Sequence, residues 1–139
     1  MLDTQQKTNQ FKNIAVAIVK DDNGKVLLVK TPVDLEVDED EAWGFPSNII
    51  VPGATYTETF ASDVLENTGC IVEATALISS EKVHSLGLHF EYVECKIVCI
   101  DSSYKRKSSR YHKWVQSSKL KDHFIGNFNE DLDEFFDSI

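Results

Sequence analysis

WGFPSNIIVPGATYTETFASDVLENTGC, running from Trp43 to Cys70, carries the clearest structural instruction in the chain. Its first part has no helical period and ends in the turn signal Pro52-Gly53. Thr55 and Glu58 then form a Thr-x-x-Glu capping box, and Gly69 supplies a helix stop. Between them Phe60, Ala61, Val64 and Leu65 fall on one arc at about 100° per residue. Asp63, Glu66 and Asn67 project from the other side. The spacing predicts a helix over 56–68 that buries one face and offers oxygen ligands on the opposite one.

Upstream, NIAVAIVK (Asn13 to Lys20) reads as a β-branched strand and KVLLVK (Lys25 to Lys30) as a second. Asn23-Gly24 between them favours the positive dihedrals of a tight hairpin turn. The acidic stretch from Asp34 to Glu41 reads as a solvated loop. Downstream, IVEATALIS and LHFEYVECKIVCI are rich in β-branched and aromatic residues and read as strands. DSSYKRKSSR is a connecting loop, YHKWVQ a short strand, and Asn129 to Asp137 a final helix with Leu132, Phe135 and Phe136 on its apolar face. Strands first, one helix mid-chain and one at the end predict an α/β (α+β) sandwich around a mixed sheet.

The size of the chain, 139 residues, is that of one domain, here 1–139 with residues 1–12 as a flexible start. Hydrophobic residues make up 42% of it, enough for a core without disulfides or a structural metal. No apolar run reaches the ~18 residues of a membrane span, and the polar N-terminus MLDTQQKTNQ lacks a signal peptide's apolar stretch. The expected setting is the cytoplasm, away from any membrane. Cys70, Cys95 and Cys99 form no CxxC pair, and Cys95 and Cys99 are spaced as two small hydrophobes on one side of a strand. The net charge of −9 argues against binding a nucleic-acid backbone, the basic run Lys105 to Arg110 being a local exception. That run suits either a ligand's phosphates or a solvated loop tip.

The order of hairpin, Trp-x-Phe-Pro, loop and capped helix ending in Thr68-Gly69 resembles the Nudix hydrolases, and the resemblance extends over nearly the whole chain. The family's box reads Gly, five residues, Glu, seven residues, then Arg-Glu-apolar-x-Glu-Glu-x-Gly-apolar. Laid on Trp43-Gly44-Phe45-Pro46 and Thr68-Gly69, the register needs no gap. The opening glycine falls on Asn48, the glycine before it on Ser47, the first Glu on Ala54 and the Arg on Ser62. The next Glu becomes Asp63, and the Glu-Glu pair becomes Glu66-Asn67.

The resemblance implies an α/β/α fold and a metal-dependent pyrophosphohydrolase acting on a nucleoside diphosphate linked to another moiety. Mg²⁺ (or Mn²⁺) usually takes one or two carboxylates plus substrate phosphates, so Asp63 and Glu66 are the expected catalytic and metal-binding pair. Asn67 offers a weaker, neutral ligand. Ala54 supplies no oxygen, and Ser62 cannot act as the Arg that orients a box Glu. The metal should be weakly held and the activity reduced or altered.

Trp43 suits either stacking on a nucleobase or packing beneath the box loop. Glu91 and Glu94 lie on opposite faces of their strand, as substrate contacts or a further metal ligand, against the alternative of ordinary strand carboxylates. His84, His89, His112 and His123 have no metal or triad spacing. Three functions stay open: a weakened Nudix hydrolase, a non-catalytic nucleotide sensor, and a protein-interaction module. The expected partner is a small-molecule nucleotide, with a homodimer left open.

Overall fold

The computed structural model describes residues 11–30, 43–101, 112–124 and 128–139. The expected flexible start (apart from Phe11 and Lys12), the Asp34 to Glu41 acidic loop and the Lys105 to Arg110 basic run lie outside these residues.

Seven strands form one mixed sheet, β1 (Lys12–Lys20), β2 (Lys25–Lys30), β3 (Trp43–Gly44), β4 (Ser47–Ile49), β5 (Cys70–Val83), β6 (Leu88–Ile100) and β7 (His112–Gln116). The main order is β3-β2-β1-β6-β5, with β4 pairing β1 and β7 pairing β2. β1 runs parallel to β6, with Ala15 opposite Glu91 and Ile18 opposite Glu94, while the other pairings are antiparallel. Among the described residues an α-helix covers each face: α1 (Tyr56–Thr68) on one, α2 (Glu130–Ser138) on the other. The α/β/α sandwich expected from the sequence is what the chain forms.

The alternation along β1 explains the two layers. Ala15, Ala17 and Val19 turn toward Phe60 and Val64 of α1, while Val16 and Ile18 turn toward Leu132 and Phe136 of α2. Because both faces are covered, β1 reads as an unbroken apolar run and not as an alternating one. Phe60 and Val64, each contributing roughly 1.5–3 kcal/mol by burial, fix the rotation of α1. The Thr57 hydroxyl adds an anchor by accepting the Ala74 N–H of β5 at 3.0 Å.

On the other face, Asn129 caps α2 by accepting the Leu132 N–H at 2.9 Å. Its amide also donates to the Ser79 hydroxyl at 3.2 Å, which in turn donates to Asp131 at 3.1 Å, tying α2 to β5. Phe45 stacks on Phe124 with ring centroids 4.9 Å apart and continues into Phe128 and Phe136, closing this layer.

Several local expectations are corrected. Only Gly24 has positive φ in the β1–β2 turn, so Asn23-Gly24 is not a two-residue turn of the tight kind. Asp21 organises a wider loop instead, its carboxylate accepting the N–H groups of Asn23 and Lys25, each at 2.9 Å. Cys95 is buried, but Cys99 is exposed. The register between β5 and β6 shifts there, from Ile71 opposite Cys99 to Val72 opposite Ile97, and the irregularity breaks the two-residue alternation. On α1, Ala61 is exposed and Leu65 only half-buried, whereas Asn67 and Thr68 are buried. The buried arc is thus rotated toward the positions after Val64, at the end of α1 that runs into β5.

Candidate functional site

The loop before α1 is set by Val51-Pro52-Gly53-Ala54, in which the Ala54 N–H donates to the Val51 carbonyl at 2.9 Å. Pro52 supplies the fixed φ of the second position, and Gly53, at φ 87°, the positive one that the third requires. Thr55 follows as N-cap. Its hydroxyl accepts the Glu58 N–H at 3.1 Å, and Glu58 accepts the Thr55 N–H at 3.0 Å. These bonds from Thr55 hold the exposed Glu58 carboxyl below the usual carboxylate range. At the far end Gly69, at φ 76°, donates its N–H to the Leu65 carbonyl at 2.8 Å. The sequence therefore fixed both ends of α1 by local chemistry.

Along α1, Glu66 is exposed and Asp63 half-buried, one turn apart. Asn67 is 7% exposed, not on the solvated face the period suggested. Its amide donates to the Asp63 carbonyl at 2.8 Å, which consumes one of its two donors within the helix. Ser62 is exposed. Asn48, where the box opens with glycine, sits in β4 opposite Ala15 and its amide approaches the Thr59 carbonyl at 3.4 Å.

The strand carboxylates part company as expected. Glu91 faces α1, its Oε1 accepting the Tyr56 hydroxyl at 2.6 Å. That hydrogen bond, then burial and the carboxylate's charge, push the Tyr56 phenol up to about 12. Glu94 faces α2, where it pairs with Lys20 at 2.8 Å beneath the Phe135 ring. Trp43 also packs on the α2 side, with Lys113 4.4 Å above its ring. The sheet thus separates Trp43 and Glu94 from α1, and only Glu91 shares a face with Asp63 and Glu66. Sequence reasoning missed Tyr56 and Asn13, which flank Glu91. Nothing in the box pattern marks either position, because their neighbourhood exists only once β1, β6 and α1 meet.

Among the described residues no three His, Cys, Asp or Glu side chains converge as a metal cluster. Asp63 and Glu66 match the one or two carboxylates that Mg²⁺ accepts beside phosphate oxygens. The donor set therefore fits an ion that arrives with a nucleotide, not one caged by the protein alone. No helix of the described residues is long and apolar enough to cross a membrane.

A mixed sheet with a capped helix entered from the box loop on one face and a terminal helix on the other is the Nudix fold, and the chain resembles the Nudix hydrolases. Among solved structures it is similar to a Nudix hydrolase from Nitrosomonas europaea (17% identity, 92% of this chain and 89% of that one, TM-score 0.63). It is similar, too, to an ADP-ribose pyrophosphatase from Streptococcus suis (16% identity, 91% and 90%, TM-score 0.62). A MutT protein from Methanosarcina mazei gives 16% identity, 92% and 91% coverage and a TM-score of 0.54. Neither a scan of protein-family sequence models nor a search of curated protein sequences found a match. At such identities the likeness defines the fold, and activity rests on the site.

Proposed function

We propose that the chain is a Nudix-fold domain that binds a nucleoside diphosphate-linked small molecule along α1 and hydrolyses it weakly. The carrying observation is the pair Asp63 and Glu66, one turn apart at box positions, beside a buried Asn67 tied to the Asp63 carbonyl. In this reading Asp63 and Glu66 are the catalytic and metal-binding carboxylates, and Asn67 holds the helix turn that presents them. Mg²⁺ or Mn²⁺, when bound with the ligand, supplies neutralisation of the phosphate oxygens. The missing carboxylates at Ala54 and Asn67 and the missing guanidinium at Ser62 reduce preorganised charge, and each such loss in an enzyme commonly costs ~10²–10³ in turnover. Glu91 contacts the ligand from the sheet, while Trp43 and Glu94, engaged with Lys113 and Lys20 on the far face, are left out of the site. A cytoplasmic setting belongs to the same proposal, supported by three free thiols.

The tie between Asn67 and Asp63 also favours a second reading, a sensor that binds without turnover. A thermal-shift screen of nucleotides with and without Mg²⁺ or Mn²⁺, followed by hydrolysis assays on the hits, separates the two. Metal-dependent stabilisation with slow turnover is the expected result. Stabilisation without turnover gives the sensor, and no stabilisation by any nucleotide removes both.

A further inference from the structure

Where the start of β1 meets the first turn of α1, an open cleft of about 470 Å³ is lined by Asn13, Ile50, Ala54, Thr55, Tyr56 and Glu91. This is within the size range of small-molecule pockets, roughly 300–1,000 Å³. The parallel pairing of β1 and β6 creates it, setting Asn13 beside His89 and Ala15 beside Glu91 on the face that α1 covers. Ala54 stands where the family's box carries glutamate, and its methyl leaves open volume that a longer side chain would occupy.

The lining chemistry selects a ligand class. Among the described residues no lysine or arginine borders the cleft. Glu91 and the neighbouring Glu58 repel anions, and the Thr55–Glu58 box has already taken two of the donors at the start of α1. A phosphate therefore meets neither a cation nor a ready nest of N–H groups among the described residues. An ammonium would meet Glu91 but also the donor amide of Asn13.

Hydroxyl groups both donate and accept, which is what the walls offer. Glu91 spends Oε1 on Tyr56, and its Oε2 has no partner among the described residues. Asn13 pairs its Oδ1 with His89 Nδ1 at 3.1 Å, which leaves its NH₂ to donate. The Thr55 hydroxyl is already engaged with Glu58, so the donor toward the cleft is the Asn13 amide. Ile50, Ala54 and the Tyr56 ring give an apolar surface of the kind that the C–H face of a sugar packs against.

We infer that this cleft binds an uncharged polyhydroxyl ligand, a monosaccharide, with adjacent hydroxyls bridging Glu91 and Asn13. The inference goes beyond the hydrolase reading, with which it shares Glu91, and invokes neither metal nor diphosphate. Ala54 then has a role of its own: its short side chain leaves the site open.

Backbone-amide NMR titration of the full chain, free of metal, tests this with D-ribose, D-glucose, ribose 5-phosphate and choline as probes. The expected result is saturable shifts at Ala54, Tyr56 and Glu91 with an uncharged sugar at millimolar concentration, and weaker shifts with the phosphate and with choline. Glu91→Gln, which keeps the shape, should weaken sugar binding at least tenfold, and Ala54→Leu should abolish it, with both variants retaining dispersed spectra. Should either variant lose that dispersion, Asn13→Ala, at an exposed position, replaces it with the same expected loss. No saturable shift with either sugar, equal sugar binding in the folded variants, or tighter binding of choline or ribose 5-phosphate overturns the inference. Nucleotide hydrolysis at α1 could still be measured in each of those cases, so the two proposals fail separately.

Discussion

The Asn67 side chain donates to the backbone carbonyl of Asp63 at 2.8 Å, one turn back along α1, while itself only 7% exposed. A residue whose helical period placed it in solvent is instead folded against the protein, at the position where the family's box has its last glutamate. Whether charge can be restored to this helix turns on that contact.

Asn67→Glu should therefore destabilise the protein. It puts a carboxylate where an amide donor is in use, and leaving a buried polar group unsatisfied costs about 1–3 kcal/mol. Burial raises a carboxyl's folded-state pKa, so the variant is favoured below the unfolded value of about 4.3 and loses that advantage as pH rises. The gap to the parent should be widest near neutral pH and shrink in acid. Thermal melts across that range check it, and a gap that widened in acid would overturn the burial argument.

Combining Asn67→Glu with Ala54→Glu, Ser62→Arg and Asp63→Glu should raise metal-dependent hydrolysis of a nucleoside diphosphate substrate well above the parent. Single restorations should do little, since groups that act as a unit are strongly non-additive. Single-turnover assays on the parent, the four single variants and the quadruple variant provide the comparison. A folded, nucleotide-binding quadruple variant without gain would locate the defect at Ser47-Asn48 or in the ligand cleft.

Asp63→Asn and Glu66→Gln keep side-chain shape and remove charge. Each should weaken the Mn²⁺-dependent part of nucleotide binding about tenfold, equivalent to about 1.4 kcal/mol. Calorimetry with nucleotide in the presence and absence of Mn²⁺ measures that part directly. Parent-like values in both variants would remove the α1 face from the site.

Glu91 raises the Tyr56 phenol to about 12 from an ordinary value near 10. A raised folded-state pKa contributes stability that is complete below about pH 10 and is lost as pH climbs toward about 12. Difference spectroscopy of tyrosinate formation should show one tyrosine moving to lower pH in Glu91→Gln. Tyr56→Phe should flatten the alkaline fall in stability. Identical titration curves for parent and Glu91→Gln would show that the hydrogen bond does not persist in solution.

Thr55→Ala removes the acceptor for the Glu58 N–H and should cost about 1 kcal/mol. Denaturant unfolding checks the value, and a loss under a few tenths would mean the first turn of α1 is satisfied otherwise.

The local elements were legible in the residues alone. Thr55, Glu58 and Gly69 fixed the ends of α1 because caps act within one turn of chain, and the run Leu88 to Ile100 delimited β6 through its β-branched and aromatic content. The Nudix resemblance rested on spacing, which is also local. Which side chain faces what depended on how the elements pack together. Asn67 went inward at the end of α1 that runs into β5, and Cys99 went outward where an extra residue in β6, Val98, breaks its two-residue alternation. Glu91 met Tyr56 across 35 positions of sequence, while Trp43 and Glu94 were carried to the opposite face. Periodicity encodes the angle between neighbours on one element. The angle between elements is set by packing summed over both faces of the sheet, and no single segment carries that sum.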